Sequence, residues 1–359
     1  MLDLRFNYPS VKKEADIFQQ YIKGLPEQEK YGMLTPPSFR PAPAAAQEIG
    51  QWLELPPDTL RYRSDVITTC SGNSALHCIL TWFRNMEETA AIEEFTYTSF
   101  KASAHELGYR LHTIACDAQG MIPEALEAHL QSSNTRLVYL QPTIHNPTCS
   151  VMSLQRRRDI VTVIKRFRDV YVIEDDAYRF LHPSPPPTFL QLMPDKTLYI
   201  CSFSKVFNPF VRVAHIVYPR NILQGVDSII RYTTSGSSGL LSAFARYLVQ
   251  GDLLQQVIAE KRHIAELLYE KVKNIFQDLP YRTFPGSYHI WVKLPEQLSA
   301  GAFAAEMRTW NIDIMSSEDF STTGNQEYFR IAMGSTWNAP ELVPSLQTLA
   351  GAVRKHYST

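Results

Sequence analysis

The chain has 359 residues, of which 45% are hydrophobic and 20% charged, a balance that builds a globular core and excludes a disordered chain. Lys and Arg total 35 against 36 Asp and Glu, a formal charge of -1 that argues against a nucleic-acid binder working through a strong basic field. There are 15 glycines where average usage of about 7% gives roughly 25, so a dinucleotide loop needing several glycines is not the first expectation.

A length of this kind suggests about two domains. Residues 1 to 60 are mixed and rich in proline (Pro36, Pro37, Pro41, Pro43, Pro56, Pro57), which suggests an irregular arm around one helix near 44–53. From 65 onward short apolar runs alternate with helical patterns. The strand candidates are 66–69, 89–92, 111–114, 136–140, 171–173 and 198–200. After Gly72, the residues Ala75, Leu76, Ile79, Leu80 and Phe83 share one 3.6-period face, and a basic helix reads RRRDIVTVIKRF after Ser153. Strands alternating with helices predict an α/β fold with a mostly parallel sheet, whose ligands bind beyond the carboxyl ends of the strands. From 240 the order changes. One long helical region over 240–276 leads to a strand at 289–294, a helix around 303–310, a strand at 327–333 and a last helix near 340–356. These fit a smaller α+β domain. The expected division is an arm over 1–40, a large domain over 41–240 and a small domain over 241–359. The SGSSG run at 235–239 is one reading of the boundary loop.

Five scattered cysteines without CxxC spacing read as reduced thiols, neither a disulfide frame nor a zinc site, so no metal is expected. The N-terminal MLDLRFNYPSVKKEADIF does not read as a signal peptide, and no stretch of 18 apolar residues occurs. A cytoplasmic protein without a membrane or nucleic-acid partner is the expectation. HExxH, GxxxxGK[ST] and GxGxxG are all missing.

Three segments carry chemistry. In CSFSKVFNPFVRV, Lys205 follows an apolar strand and is flanked by Ser202 and Ser204, with Arg212 seven residues on. A lysine in a dry site loses proton affinity and can form a Schiff base; alone, it reads equally as a surface lysine. In VYVIEDDAYRFL an apolar strand ends in carboxylates, with Tyr178 three residues after Asp175; a helix cap is the simpler reading of that segment by itself. In YLQPTIHNPTCSV a strand ends at Asn146-Pro147-Thr148, by itself an ordinary turn.

In this order and spacing the segments resemble the class I/II aminotransferases, fold type I of the pyridoxal-phosphate enzymes, over nearly the whole chain. The pattern is nearest to the aminotransferase-like domain of MocR-type proteins. The resemblance implies pyridoxal 5'-phosphate as cofactor, a homodimer, and exchange of an amino group between an α-amino acid and a 2-oxo acid. It implies Lys205 as the residue bound to the cofactor aldehyde and as proton carrier. Asp175 would face the ring nitrogen, Asn146 and Tyr178 the ring oxygen, and Tyr97 would stack on the ring. The phosphate would meet Gly72, Asn73 and Ser74 at a helix start, with Ser202, Ser204 and Arg212. Arg330, in EYFRIAM, would take the substrate carboxylate. Asn7, Tyr8 and Tyr31 are the arm residues that would cover the substrate, with Tyr8 and Asn146 placed in its site; His145 is a further candidate. The chain departs from the family at Cys149 and Ser287, where relatives carry glycine, and at Phe95, where they carry proline. A lyase, cyclase or oxidase on the same fold, and a non-catalytic sensor module, are the competing readings.

Overall fold

The computed structural model describes residues 1–34, 38–84 and 89–358. Pro36 and Pro37 lie outside them. The main sheet has seven strands in the order Ser64–Thr69, Ala214–Pro219, Thr197–Ser202, Tyr171–Asp175, Leu137–Leu140, Thr89–Glu93 and Arg110–Ile114. All run parallel except Ala214–Pro219, which is antiparallel to both neighbours. The six strands expected from the sequence are present. The seventh follows directly on the lysine segment, and a short apolar run gives no periodicity by which to separate it.

Helices cover both faces, which is why the strands are buried almost continuously, apart from the edge strand Arg110–Ile114. Alternation sets the two cores. Leu137, Tyr139 and Ile173 pack with the Gly72–Phe83 helix on one face, and Val138, Leu140 and Val172 with Ile160 and Ile164 of the Leu154–Lys165 helix on the other. Ser71 starts the first of these helices, its Oγ accepting the Ser74 N–H at 3.0 Å.

The remaining part holds an antiparallel sheet in the order Tyr281–Arg282, His289–Lys293, Tyr328–Ala332 and Met315–Ser316. The expected single helical region over 240–276 is two helices, Gly239–Val249 and Leu253–Phe276. The break falls at Gly251-Asp252, two residues with poor helix propensity. The chain start joins this part. Leu2–Asp3 pairs parallel with Ile312–Asp313, and Ile17 and Tyr21 of the Lys12–Gly24 helix enter the core that holds Phe244 and Leu254. Among the described residues no helix is long and apolar enough to cross a membrane, and no cluster of three His, Cys, Asp or Glu side chains could hold a metal ion.

Candidate active site

Four parallel strands deliver their polar ends to one place. Ser64–Thr69 leads to Gly72 and Asn73, Leu137–Leu140 to Asn146, Tyr171–Asp175 ends on Asp175, and Thr197–Ser202 runs into the short Phe203–Val206 helix that bears Lys205. They open on a cavity of about 260 Å³ lined also by Tyr8, Tyr97, Tyr178, Ser204, Arg212 and Arg330. Every residue expected to hold the cofactor therefore lines this one space except Ser74, whose amide is taken by Ser71, and of the expected substrate residues Asn7, Tyr8, Asn146 and Arg330 line it while Tyr31 and His145 do not.

The Lys205 Nζ donates to the Asn7 carbonyl at 2.7 Å and lies 3.6 Å from the centre of the Tyr8 ring. Burial, then the nearby positive charges of Arg330 and Lys261, push its amine down to about 7, with Asp175 opposing. At neutral pH a large share of this amine is an unprotonated nucleophile. The Asp175 carboxylate accepts from the Tyr139 hydroxyl at 2.9 Å. Burial pushes it up to about 6 against that hydrogen bond, so it favours a cationic partner.

Tyr178 is set by a chain of bonds whose direction can be worked out. The His289 Nε2 meets the His145 carbonyl at 3.1 Å, an oxygen that only accepts, so Nε2 carries the proton and Nδ1 does not. Burial pulls the ring down to about 3 and keeps it neutral. The Asn7 Nδ2 then donates to His289 Nδ1 at 3.3 Å and to the Tyr178 hydroxyl oxygen at 3.2 Å, while Asn7 Oδ1 accepts the Gly334 N–H at 3.1 Å. Tyr178 keeps its own proton, since burial raises its hydroxyl, and has it to donate into the cavity.

Arg330 stands on the Tyr328–Ala332 strand and is 5% exposed. Its Nη1 donates to Asn146 Oδ1 at 2.6 Å and its Nη2 to the Arg5 carbonyl, while the buried Nε has no partner. At the helix start, Tyr97 donates to Asn73 Oδ1 at 3.2 Å, and Asn73 Nδ2 to Ser99 Oγ at 3.4 Å. Ser202 Oγ accepts the Ser204 N–H at 3.3 Å, and Arg212 takes a left-handed φ of 49°.

A family model, aminotransferase class I and II, matches residues 1–346. The chain belongs to the class I and II aminotransferase family. Among curated relatives, the uncharacterized HTH-type transcriptional regulator YdeF of Bacillus subtilis is 24% identical over 249 residues, 69% of this chain and 54% of the relative. The chain spans about half the length of the regulators of this kind that it matches. The 2-aminoadipate transaminase of Thermus thermophilus is 24% identical, over 78% of this chain and 71% of that enzyme. In fold the chain is similar to the Pyrococcus horikoshii kynurenine aminotransferase, solved with PMP (TM-score 0.88, 19% identity, 99% and 91% of the chains covered). It is also similar to LysN, the α-aminoadipate aminotransferase of Thermus thermophilus, solved with N-(5'-phosphopyridoxyl)-L-leucine (TM-score 0.85, 20% identity, 100% and 93%).

Pyridoxal 5'-phosphate is the cofactor of this aminotransferase family, and the donor set fits it. A nucleophilic amine, a buried carboxylate and a tyrosine proton share the cavity with Asn73, at a helix start, and with Arg212. The buried Gln141 Nε2, on the cavity wall, has a hydrogen to give and no partner.

Two arm and loop expectations are corrected. Tyr31, in the Glu27–Gly32 helix, is 75% exposed and away from the cavity, because that helix buries none of its residues. His145 does not face the substrate space: its Nε2 is 3.2 Å from the Glu93 carboxylate, and it lines a separate cavity of about 210 Å³. The family departures Cys149 and Ser287 touch each other, Sγ to Oγ at 3.9 Å. Cys149 holds a left-handed φ of 60°, and its thiol donates to the His289 carbonyl at 3.2 Å.

Sequence reasoning missed Tyr139, Gln141, Ser71, His289 and Arg157. Tyr139 and Gln141 flank the end of an apolar strand, which was a usable signal. Arg157 was hidden within a basic helix. It is fully buried, donates to the carbonyls of Met152, Pro142 and Pro187 and to Thr143, and lies 3.8 Å from Glu174. It thus spans the loop bearing Asn146 and offsets the buried acids beside Asp175. Arg157→Ala is expected to cost about 3–5 kcal/mol, read as a lower midpoint in urea unfolding at neutral pH, because it strands the buried Glu174 without its countercharge and leaves Asp176 with Arg179 alone.

Proposed function

We propose that the chain is a pyridoxal-phosphate-dependent aminotransferase that moves an amino group between an α-amino acid and a 2-oxo acid. The observation that carries this is the meeting of the Lys205 amine, the Asp175 carboxylate and the Arg330 guanidinium in one cavity of about 260 Å³. When bound, the cofactor supplies an electron sink for the bond broken at the substrate Cα.

The chain's own groups do the rest. Arg330 binds the substrate carboxylate as a planar fork and fixes which Cα bond faces the amine. In doing so its Nη2 exchanges the Arg5 carbonyl for the substrate, and its unpartnered Nε gains an acceptor. Lys205, whose amine is pushed down to about 7, would take and hold the Cα proton. Asp175, held by Tyr139, would keep a positive charge at the ring nitrogen. Tyr178 and Asn146 would hold the ring oxygen, and Asn73, Ser202, Ser204 and Arg212 would hold the phosphate. Tyr97, tied through its hydroxyl to Asn73, presents its flat face.

The test is a panel of amino donors with a 2-oxo acid acceptor. A 2-oxo acid from the donor and a new amino acid from the acceptor are expected in equal amounts. Ammonia with no amino acid formed would instead make the chain a lyase or oxidase. Similarity to YdeF favours a second reading, a sensor that binds ligand without turnover; binding on the same panel with no product would establish it. The homodimer belongs to the first reading, and light scattering on the full chain decides it.

A further inference from the structure

Behind the active-site amine lies a second lysine that the reaction does not use. Lys261, on the Leu253–Phe276 helix, is fully buried. Its Nζ lies 2.7 Å from Glu14 Oε1, donates to the Lys205 carbonyl at 3.1 Å, and donates to the Phe207 carbonyl. Those carbonyls are at the end of the short helix that bears Lys205, where a cation satisfies oxygens left without helical partners. Glu14 belongs to the arm helix Lys12–Gly24. Its other oxygen accepts from Asn208 Nδ2 at 2.7 Å and from the Val11 N–H at 3.3 Å. The Tyr288 hydroxyl donates to the Lys261 carbonyl, so the small sheet joins the same knot.

A buried lysine is costly unless paired, and burial does pull this one's proton affinity down. An apolar residue of similar length would fill the space at less cost. What an ammonium adds is two donated bonds to carbonyls of the lysine turn and a close ion pair with one carboxylate of the arm. The same arm then lays the Asn7 carbonyl and the Tyr8 ring on the Lys205 amine.

We propose that Lys261 is a positioning residue for Lys205, and that through Glu14 it makes the placing of the active-site amine depend on docking of the N-terminal arm. The inference rests on the reading of Lys205 as the active-site amine. The groups that face the Lys205 amine are Asp175 from the main sheet, Arg330 from the small sheet, Tyr178 from the loop after Asp175, Tyr8 from the arm, and Lys261 from behind.

The experiment uses the cofactor-free full chain and the variants Lys261→Met and Glu14→Gln. Two quantities are read by mass spectrometry: hydrogen exchange along the chain, and the pH midpoint of Lys205 acylation by acetic anhydride. Both variants are expected to speed exchange about tenfold in 12–24 and 203–207, with 342–358 unchanged. In Lys261→Met the acylation midpoint should rise by about one unit, because a positive charge near the amine is gone. In Glu14→Gln, which keeps the ammonium, it should stay or fall. A rise in both variants, or exchange that quickens uniformly along the chain, would mean mere support of the fold and overturn the proposal; so would unchanged exchange in the arm. Should Lys261→Met fail to fold, the Glu14→Gln pattern alone still decides. Neither readout needs turnover. A chain that fails the donor panel but shows these shifts loses its proposed function and keeps this coupling.

Discussion

A chain carrying Lys205→Ala is expected to lose amino transfer by on the order of 10⁴-fold, the upper range for removing a positioned acid–base group. Among the described residues that line the cavity, Lys205 is the one amine, and the Lys261 ammonium behind it is occupied by Glu14 and two carbonyls. No neighbour can stand in. The measurement is the rate of 2-oxo acid formation with the best donor of the panel, beside circular dichroism to show that the variant is folded. A variant that keeps more than a tenth of the parent rate would remove Lys205 from the mechanism. The parent carries a related signature. Its amine sits near 7 instead of in the ordinary lysine range. Below that value it is protonated and closed to an aldehyde; above it, it is free. Uptake of the cofactor by the cofactor-free chain should therefore climb through pH 7 and level off well below pH 10.

The second large effect is expected at Arg330. Arg330→Gln removes both the charge and the fork, and kcat/KM for the amino donor should fall by on the order of 10²–10³-fold, two charge-assisted hydrogen bonds' worth. Arg330→Lys restores the charge without the planar geometry, and should recover only part of this, staying at least about tenfold below the parent. The loss should show mainly in KM, with an added drop in kcat if the Cα bond is no longer held toward Lys205. Equal kinetics for the lysine variant and the parent would mean that the carboxylate is bound elsewhere.

Much of this site was legible in the sequence for a physical reason. A parallel sheet buries its strands on both faces, so each reads as a short apolar run, and the first polar residues after it stand at the ligand side. Asp175, Asn146, Ser202 and Lys205 were all found in that way. What stayed hidden depends on contacts that no local pattern records. Arg157 sits among RRRD, which reads as a solvated basic face; its neighbour Arg156 does pair at the surface with Asp117, and only the fold shows which arginine turns inward. Lys261 lies in an amphipathic helix where a lysine is expected outside. His145 is adjacent to Asn146 and yet points to Glu93, since successive residues in a loop face different spaces. Ala214–Pro219 is buried throughout, His215 included, but nothing local tells that it reverses direction. The family resemblance supplied the identity of the reacting groups; it did not supply Tyr139, His289 or the bonds that aim Tyr178.

The arm has one further consequence, for how the molecule comes to exist. Leu2 pairs with Ile312, the Leu4 carbonyl accepts from Ala332, and Asn7 meets Gly334. Residues 2–7 are thus completed by residues 312–334, far along the chain. Contacts so far apart in the chain are slow to close, and larger proteins gather structure piecewise before such closures. The main sheet can form from its own central segment, whereas a finished pocket has to wait until residues 5–8 and Arg330 have both docked. In refolding, recovery of native secondary structure should therefore precede recovery of cofactor uptake, and the interval between them measures the assembly of the arm.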